Sequence, residues 1–192
     1  MVPVTNTRER ILDASAELFR RQGLTGTGIK QILAQAEAPF GSLYHHFPGG
    51  KDELAAETIT RAGEFYGRLV AGKIAEQPDL VSGIRAAFVG AGETLVSTDY
   101  ADACPVETVA LEVASTNEPL RLATAEVFES WLGGLAARLA RDGIAPQEAR
   151  ALALTILSAL EGAFVLARAT RSTAALDACA DAMASLVEAA LR

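Results

Sequence analysis

The stretch Thr27-Gly28-Ile29-Lys30-Gln31-Ile32-Leu33-Ala34-Gln35-Ala36-Glu37-Ala38-Pro39-Phe40-Gly41-Ser42-Leu43-Tyr44-His45-His46-Phe47 decides the fold. Ile29, Ile32, Leu33 and Ala36 recur at the spacing of one helical face, and Thr27 is of a type that caps the free amides ahead of it. A tight connection at Glu37-Ala38 follows, and Pro39 suits the first turn of another short helix, Phe40–Phe47. Leu43 and Phe47, four apart, anchor that helix on a core. Two short helices joined this tightly fit a helix-turn-helix, whose second helix enters the major groove of DNA. Gly41, Ser42 and His45 would then face the groove: Gly41 lets the backbone approach, while Ser42 and His45 can hydrogen-bond to bases or phosphates. Thr27, Lys30, Tyr44 and Lys51 supply hydroxyls and charges suited to phosphate contacts. Phe40 has two readings. It shares a helical stripe with Leu43, Tyr44 and Phe47 and could pack, or it could meet a thymine methyl in the groove.

Working outward, Asn6 caps a preceding helix and Glu9 completes a capping-box-like pair. Ile11, Ala14, Ser15, Leu18 and Phe19 form its apolar face, and Gly23 is placed to end it in a left-handed conformation. Pro48-Gly49-Gly50 closes the three-helix segment. Longer helices follow: Asp52 toward Gln77, Leu80 to Leu95, Glu107 to Ala114, Leu120 to Leu139, Pro146 to Ala167 and Thr173 to Leu191. No alternating strand pattern bounded by hairpin turns is present, so the expected fold is all-α. The expected domains are a helix-turn-helix domain over 1–50 and a helical effector-binding and dimerisation domain over 51–192.

Charge follows the same division. The chain of 192 residues carries 17 Lys and Arg against 24 Asp and Glu, a net of −7. Residues 1–51 hold six basic residues (Arg8, Arg10, Arg20, Arg21, Lys30, Lys51) against four acidic ones, and the remainder 11 against 20. A protein that coats nucleic acid along its whole surface is thereby excluded, and two parts with different partners are implied. Two cysteines, Cys104 and Cys179, are too few for a disulfide scaffold, and no basic-then-apolar signal segment opens the chain, so the expected location is the cytoplasm. The nearly uncharged stretch Ala151–Ala167 is interrupted by Glu161 and falls short of the roughly 20 apolar residues of a membrane span.

Enzyme chemistry finds little purchase here. His45 and His46 are adjacent and diverge by about 100° on a helix, so they cannot chelate one metal together. A Cys104 nucleophile would need a histidine from the distant N-terminal segment. Neither a catalytic residue, a metal nor a cofactor is expected. The C-terminal helices instead gather Tyr66, Phe88, Cys104, Pro105, Thr108, Phe128, Trp131 and Phe164, with Glu112 and Glu161 each alone in an apolar run, where they could hydrogen-bond a ligand hydroxyl or bridge helices. That mixture suits a chamber for a small apolar or aromatic molecule, although an apolar stripe often means burial alone. The last two helices carry more apolar surface than one core needs (Ala149, Ala153, Ile156, Leu157, Leu160, Ala180, Met183, Leu186, Val187), which dimerisation would bury.

Glu9-Arg10-Ile11-Leu12-Asp13-Ala14, Leu18-Phe19, Gly23 and Gly41-Ser42-Leu43-Tyr44-His45-His46-Phe47-Pro48-Gly49-Gly50-Lys51 resemble the DNA-binding domain of TetR-family transcriptional regulators. The form Ala38-Pro39-Phe40-Gly41-Ser42-Leu43-Tyr44-His45-His46 through Lys51 looks like the LmrA/YxaF-like branch, as do Asp102-Ala103-Cys104-Pro105-Val106 and Ala110-Leu111-Glu112. The resemblance implies a homodimer joined through a four-helix bundle of the last two helices. It also implies a palindromic operator with half-sites about 34 Å apart, or a multiple of that, and a flat multi-ring aromatic effector. Helix four would be the lever. Two positions depart from the pattern. Glu37 stands where the family usually has the turn glycine, and a left-handed backbone there costs on the order of 1 kcal/mol unless the turn is reshaped. Phe40 stands where the branch often has Lys. The reading that follows is a ligand-responsive repressor; the alternative is a small helical enzyme or ligand carrier on the same scaffold.

Overall fold

The computed structural model describes residues 6–192, and every regular element among them is helical. The order is α1 (Thr7–Gln22), α2 (Ile29–Gln35), α3 (Ser42–His46), α4 (Gly50–Ala75), α5 (Leu80–Ser97), α6 (Pro105–Val113), α7 (Glu118–Arg141), α8 (Pro146–Thr170) and α9 (Ala174–Ala190). These form two compact units, one from the N-terminal residues through Glu64 with Pro105–Val127, the other from Phe65–Cys104 with Phe128–Arg192.

In the first unit the Asn6 side chain accepts from the Glu9 amide at 3.0 Å, as the capping pattern requires, and α1 buries Ile11, Leu18 and Phe19. Gly23 ends α1 with φ 75° and ψ 177°, so the positive φ expected there is present but ψ is extended rather than left-handed helical. Helix α1 packs on α2, α3 and α6. Two expectations about the short helices need correction. The N-cap of α2 is Gly28; Thr27 is fully buried and its hydroxyl donates to the Gly23 carbonyl at 2.6 Å, closing the α1–α2 turn. The next helix begins at Ser42 rather than Phe40, because Pro39 to Ser42 forms a tight turn in which the Ser42 amide donates to the Pro39 carbonyl at 2.9 Å.

The turn between α2 and α3 is not reshaped around Glu37. Glu37 takes the left-handed conformation, φ 49°. Its amide donates to Ala34 O at 3.2 Å and the Ala38 amide donates to Leu33 O at 2.9 Å, the two bonds of a Schellman cap that glycine ordinarily completes. The cost is offset from α1. Arg10 Nε donates to the Ala36 carbonyl at 2.9 Å and its Nη2 to the Glu37 carbonyl at 3.2 Å.

The second unit packs α5 along α9, and α8 against both. Ile84, Phe88, Leu95, Leu132, Leu139, Ile156, Leu176 and Val187 lie in one buried cluster. At the end of α5, Asp99 and Tyr100 are both left-handed, φ 51° and 59°. Arginines of α8 and its cap secure them: Arg168 donates to the carbonyls of Tyr100 and Ala101, and Arg171 donates to the Asp99 carbonyl and pairs with its carboxylate at 2.5 Å. The hydrogen bond from Arg171, aided by its charge, holds the Asp99 carboxyl below its ordinary range.

The surplus apolar surface of α8 and α9 matches the sequence expectation only in part: Leu186 is exposed as expected, but most of the other residues named are not. Ala149, Ala153, Ile156, Ala180 and Val187 are buried within the protomer, as is Met183 at 9% exposure, while Leu157 and Leu160 are half-buried. The exposed set is Leu154, Val165, Leu166 and Leu186. Helix α8 extends to Thr170, and by length and composition alone it could cross a membrane. Its inner face, however, packs into the cluster with α5 and α9.

Glu37→Gly should remove the strain at the Schellman cap, less the extra freedom glycine gives the unfolded chain. The expected outcome is a melting midpoint raised by about 2 °C, while Arg10→Ala, which strips two carbonyl partners, should cost about 1–2 kcal/mol. Thermal melts followed by circular dichroism check both, and an unchanged midpoint for Glu37→Gly would mean that the left-handed turn is unstrained.

Candidate nucleic-acid interface

Helix α3 is a single turn and a half, so its orientation depends on what it buries. Leu43 and Phe47 are both fully buried, four residues apart on the inner side. Phe47 is further held by the Arg8 guanidinium, 5.2 Å above its ring, and Arg8 itself pairs with Glu57 of α4. His46 stands edge-on to Phe47 at 6.4 Å and is half-buried.

With that side fixed, the opposite side is defined. Gly41 and His45 are exposed, and Ser42 is half-buried at the helix start. Nothing lies within 4 Å of where a side chain on Gly41 would begin, so the backbone there is open to approach. Tyr44 is 54% exposed, and Phe40 60% exposed. Of the two readings of Phe40, packing in the core is thereby excluded. Lys30 is exposed on α2. These side chains and the Gly41 backbone form an outward array of hydrogen-bonding groups and aromatic rings, with Lys30 alongside.

Two of the expected phosphate-contacting residues have partners within the protein. The Thr27 hydroxyl is buried against the Gly23 carbonyl, and Lys51 Nζ donates to the Leu24 carbonyl at 2.6 Å. Both bonds secure the α1–α2 turn, where the Leu24 carbonyl also accepts from the Thr27 amide at 3.2 Å.

The residues expected to line an effector chamber divide between the two units. Tyr66, Phe88, Cys104, Phe128, Trp131, Glu161 and Phe164 belong to the second. Phe88 is fully buried in the core cluster, with Phe164 packed against that cluster. Phe128 and Trp131 meet edge-on at 5.7 Å, and a side chain on Gly67 would start 3.0 Å from the Trp131 indole. Pro105, Thr108 and Glu112 belong to the first unit. Glu112 does not stand as an isolated acid: its Oε2 accepts the Thr25 amide at 2.6 Å. Sequence reading missed this role, and missed Arg10 as the brace of the Glu37 turn, because both contacts join residues far apart in the chain. The positive-φ glycine at 23 was the one local signal, since a side chain there would collide with Glu112 Oε1.

Comparison with known proteins agrees with this geometry. Residues 11–58 match the model of bacterial regulatory proteins of the tetR family, and residues 81–182 match that of the LmrA/YxaF-like transcriptional regulators' C-terminal domain. The chain is 37% identical over 161 residues to the HTH-type transcriptional regulator YxaF of Bacillus subtilis, covering 84% of each. It is 32% identical over 171 residues to the HTH-type transcriptional regulator LmrA of the same organism, covering 89% of this chain and 91% of LmrA. In fold it is similar to a TetR transcriptional regulator from Legionella pneumophila, with a TM-score of 0.84 over 96% of this chain and 99% of that one at 22% identity. Such regulators are not enzymes, which removes the catalytic alternative. The chain belongs to the TetR family of DNA-binding helix-turn-helix transcriptional regulators, in its LmrA/YxaF-like group.

Proposed function

We propose that this regulator is a cytoplasmic repressor that holds a palindromic operator as a homodimer and releases it when a small apolar, aromatic molecule occupies the C-terminal helices. The functional division is a reader over the first 50 residues and an effector-binding and dimerisation part over 51–192. The observation that carries the reading is the two-sidedness of α3: Leu43 and Phe47 are fully buried, while Phe40, Gly41, Tyr44 and His45 are exposed. In the groove, Ser42 and His45 read base edges, Lys30 and Tyr44 hold phosphates, and Phe40 meets a thymine methyl.

Dimerisation is supported by the outer faces of α8 and α9. Leu154, Val165, Leu166 and Leu186 are exposed there, and a groove of about 380 Å3 lined by Ala151, Thr155, Leu186 and Ala189 runs between the two helices. A second copy of the same face fills such a surface with isologous contacts. The effector reading rests on the half-buried rings Tyr66, Phe128, Trp131 and Phe164, which offer aromatic surface, Phe128 and Trp131 in contact with each other. Release is a population shift. The effector binds the arrangement that cannot engage DNA more tightly than the one that can, and a decisive shift takes roughly 5.5 kcal/mol of differential affinity.

Base recognition is tested by substituting the exposed array one residue at a time. Ser42→Ala and His45→Ala should change base preference by about 1–3 kcal/mol for each base-specific hydrogen bond removed. Tyr44→Ala and Lys30→Ala should weaken all duplexes alike, with Lys30→Ala lowering the salt slope by about 1. Binding isotherms on a duplex selected from a random pool, repeated across salt concentrations, separate the two kinds, and binding indifferent to all four changes would refute the reading.

For the dimer, Leu154→Asp or Leu166→Asp should yield monomers in analytical ultracentrifugation and lose operator affinity in parallel. A monomer that still binds the selected duplex tightly would break the coupling. Met183 makes a poor probe, because a charge there disrupts the protomer's own core.

Trp131 is the chain's one tryptophan and reports the effector side. Titration with flat aromatic compounds should change its emission, and over the same concentrations weaken operator binding by the factor by which operator weakens effector binding. A compound that alters the emission without altering DNA affinity would bind outside the coupled site.

A further inference from the structure

The peptide group between Leu24 and Thr25 is gripped at both ends by charged side chains. Its carbonyl oxygen accepts from the Lys51 ammonium at 2.6 Å, and its N–H donates to the Glu112 carboxylate at 2.6 Å. A cation at the oxygen and an anion at the N–H polarise the peptide in the same sense, so each bond strengthens the other. This peptide sits in the turn that leads from α1 into the helix-turn-helix. Around it, Thr27 closes onto Gly23, and Asn117, just beyond α6, donates to Asp52 at 2.9 Å, beside Lys51. Gly23 is also matched to the carboxylate, since any side chain at that position would collide with Glu112 Oε1.

Glu112 therefore does something that neither a chamber wall nor a solvated acid would do. It lies in the span that matches the LmrA/YxaF-like C-terminal domain, yet it bonds a backbone amide within the span that matches the DNA-binding domain, all inside one compact unit. We infer that Glu112 is a positioning residue for DNA recognition: acting with Lys51 through the Leu24–Thr25 peptide, it sets the α1–α2 turn and so the placement of the helices that read the operator. Lys51 serves the same peptide rather than a phosphate. The inference rests on the family's DNA-binding activity and is independent of the identity of any effector.

The sign of the effect distinguishes this role from simple electrostatics. A surface acid near a DNA-binding face repels phosphates, so removing one should tighten binding to every duplex. A positioning acid has the opposite signature for the specific site. The test uses the full-length protein, a duplex that it selects from a random pool and a duplex of scrambled sequence, with affinities measured by fluorescence anisotropy at several salt concentrations. Glu112→Ala and Glu112→Asp should each weaken binding to the selected duplex by about fivefold without weakening the scrambled one. The aspartate keeps the charge but is one methylene too short to reach. Glu112→Gln, whose amide oxygen can still accept from Thr25, should stay within about twofold of the parent.

Lys51→Ala should lower affinity for the selected duplex with an unchanged salt slope, and the Lys51→Ala, Glu112→Ala double variant should lose less than the product of the single losses. Hydrogen exchange at the Thr25 amide should accelerate in Glu112→Asp while the interior amides of α1 and the melting midpoint hold. Because Glu112→Asp alters reach alone, it tests the inference even where the alanine variant folds poorly. Glu112→Asp binding the selected duplex as tightly as the parent, Glu112→Ala tightening both duplexes, or a salt slope lowered by about 1 in Lys51→Ala would overturn it.

Discussion

A helix of five residues has no stability of its own, since nucleation fixes several dihedrals for each hydrogen bond gained. Helix α3, Ser42–His46, exists because Leu43 and Phe47 are buried beneath it. The proposed reading of DNA depends on that burial. The side chains that face outward are whatever remains once those two face inward, so the recognition surface is specified by the core and not by the exposed residues themselves. The Arg8 guanidinium over the Phe47 ring adds to the constraint, tying α1 to the end of α3, and its pair with Glu57 brings α4 into the same arrangement.

With helices this short, the turns carry the angular information. Glu37 is left-handed where a glycine would be at ease, and Arg10 compensates by donating to two successive carbonyls. The α1–α2 turn is likewise held by side chains from elsewhere: Lys51 from α4 and Glu112 from α6. Both turns thus depend on charged residues whose charge would otherwise be open to solvent or to phosphate. An exposed ion pair contributes little on its own, but a charged group bonded to a backbone atom in a turn restricts dihedral angles, and its effect appears in geometry more than in stability.

What the sequence made legible follows from the range of each interaction. Helical periodicity is local, and the long helices were readable to within a few residues, as were the Asn6 cap, the inward pair Leu43 and Phe47 and the outward Gly41 and His45. The start of α3 was misread because Pro39 fits both the first turn of a helix and a preceding tight turn, and the Ser42 to Pro39 bond selects the latter. Thr27 was misread because a threonine before a helix resembles a cap, whereas burial against Gly23 gives its hydroxyl a nearer partner. Glu112 and Lys51 stood out in the sequence, but their partners could not be read from it. Their partners are backbone atoms 87 and 27 residues away, and side-chain identity carries no trace of a bond to a distant peptide. On α8 and α9 composition showed that apolar surface was in excess, but only packing shows that the small residues Ala149, Ala153 and Ala180 are buried while Leu154 and Leu166 stay exposed.

The charge division acquires a sharper meaning once the bonds are known. Of the six basic residues in the first 51, Arg8 pairs with Glu57, Arg21 with Glu17, Arg10 serves the Glu37 turn and Lys51 the Leu24 carbonyl. The modest excess of positive charge is therefore largely committed to building the reader. Attraction to phosphates in general, which depends on the number of cations brought to the backbone, is correspondingly limited in each protomer. On the proposed reading, specificity then rests on geometry, with Ser42 and His45 placed to bond base edges only in register. The remainder of the chain is acidic, 11 basic residues against 20 acidic, which works in the same direction. With so little of the aim of α3 fixed by the helix itself, the two turns that flank α2 set the direction of its outward side chains.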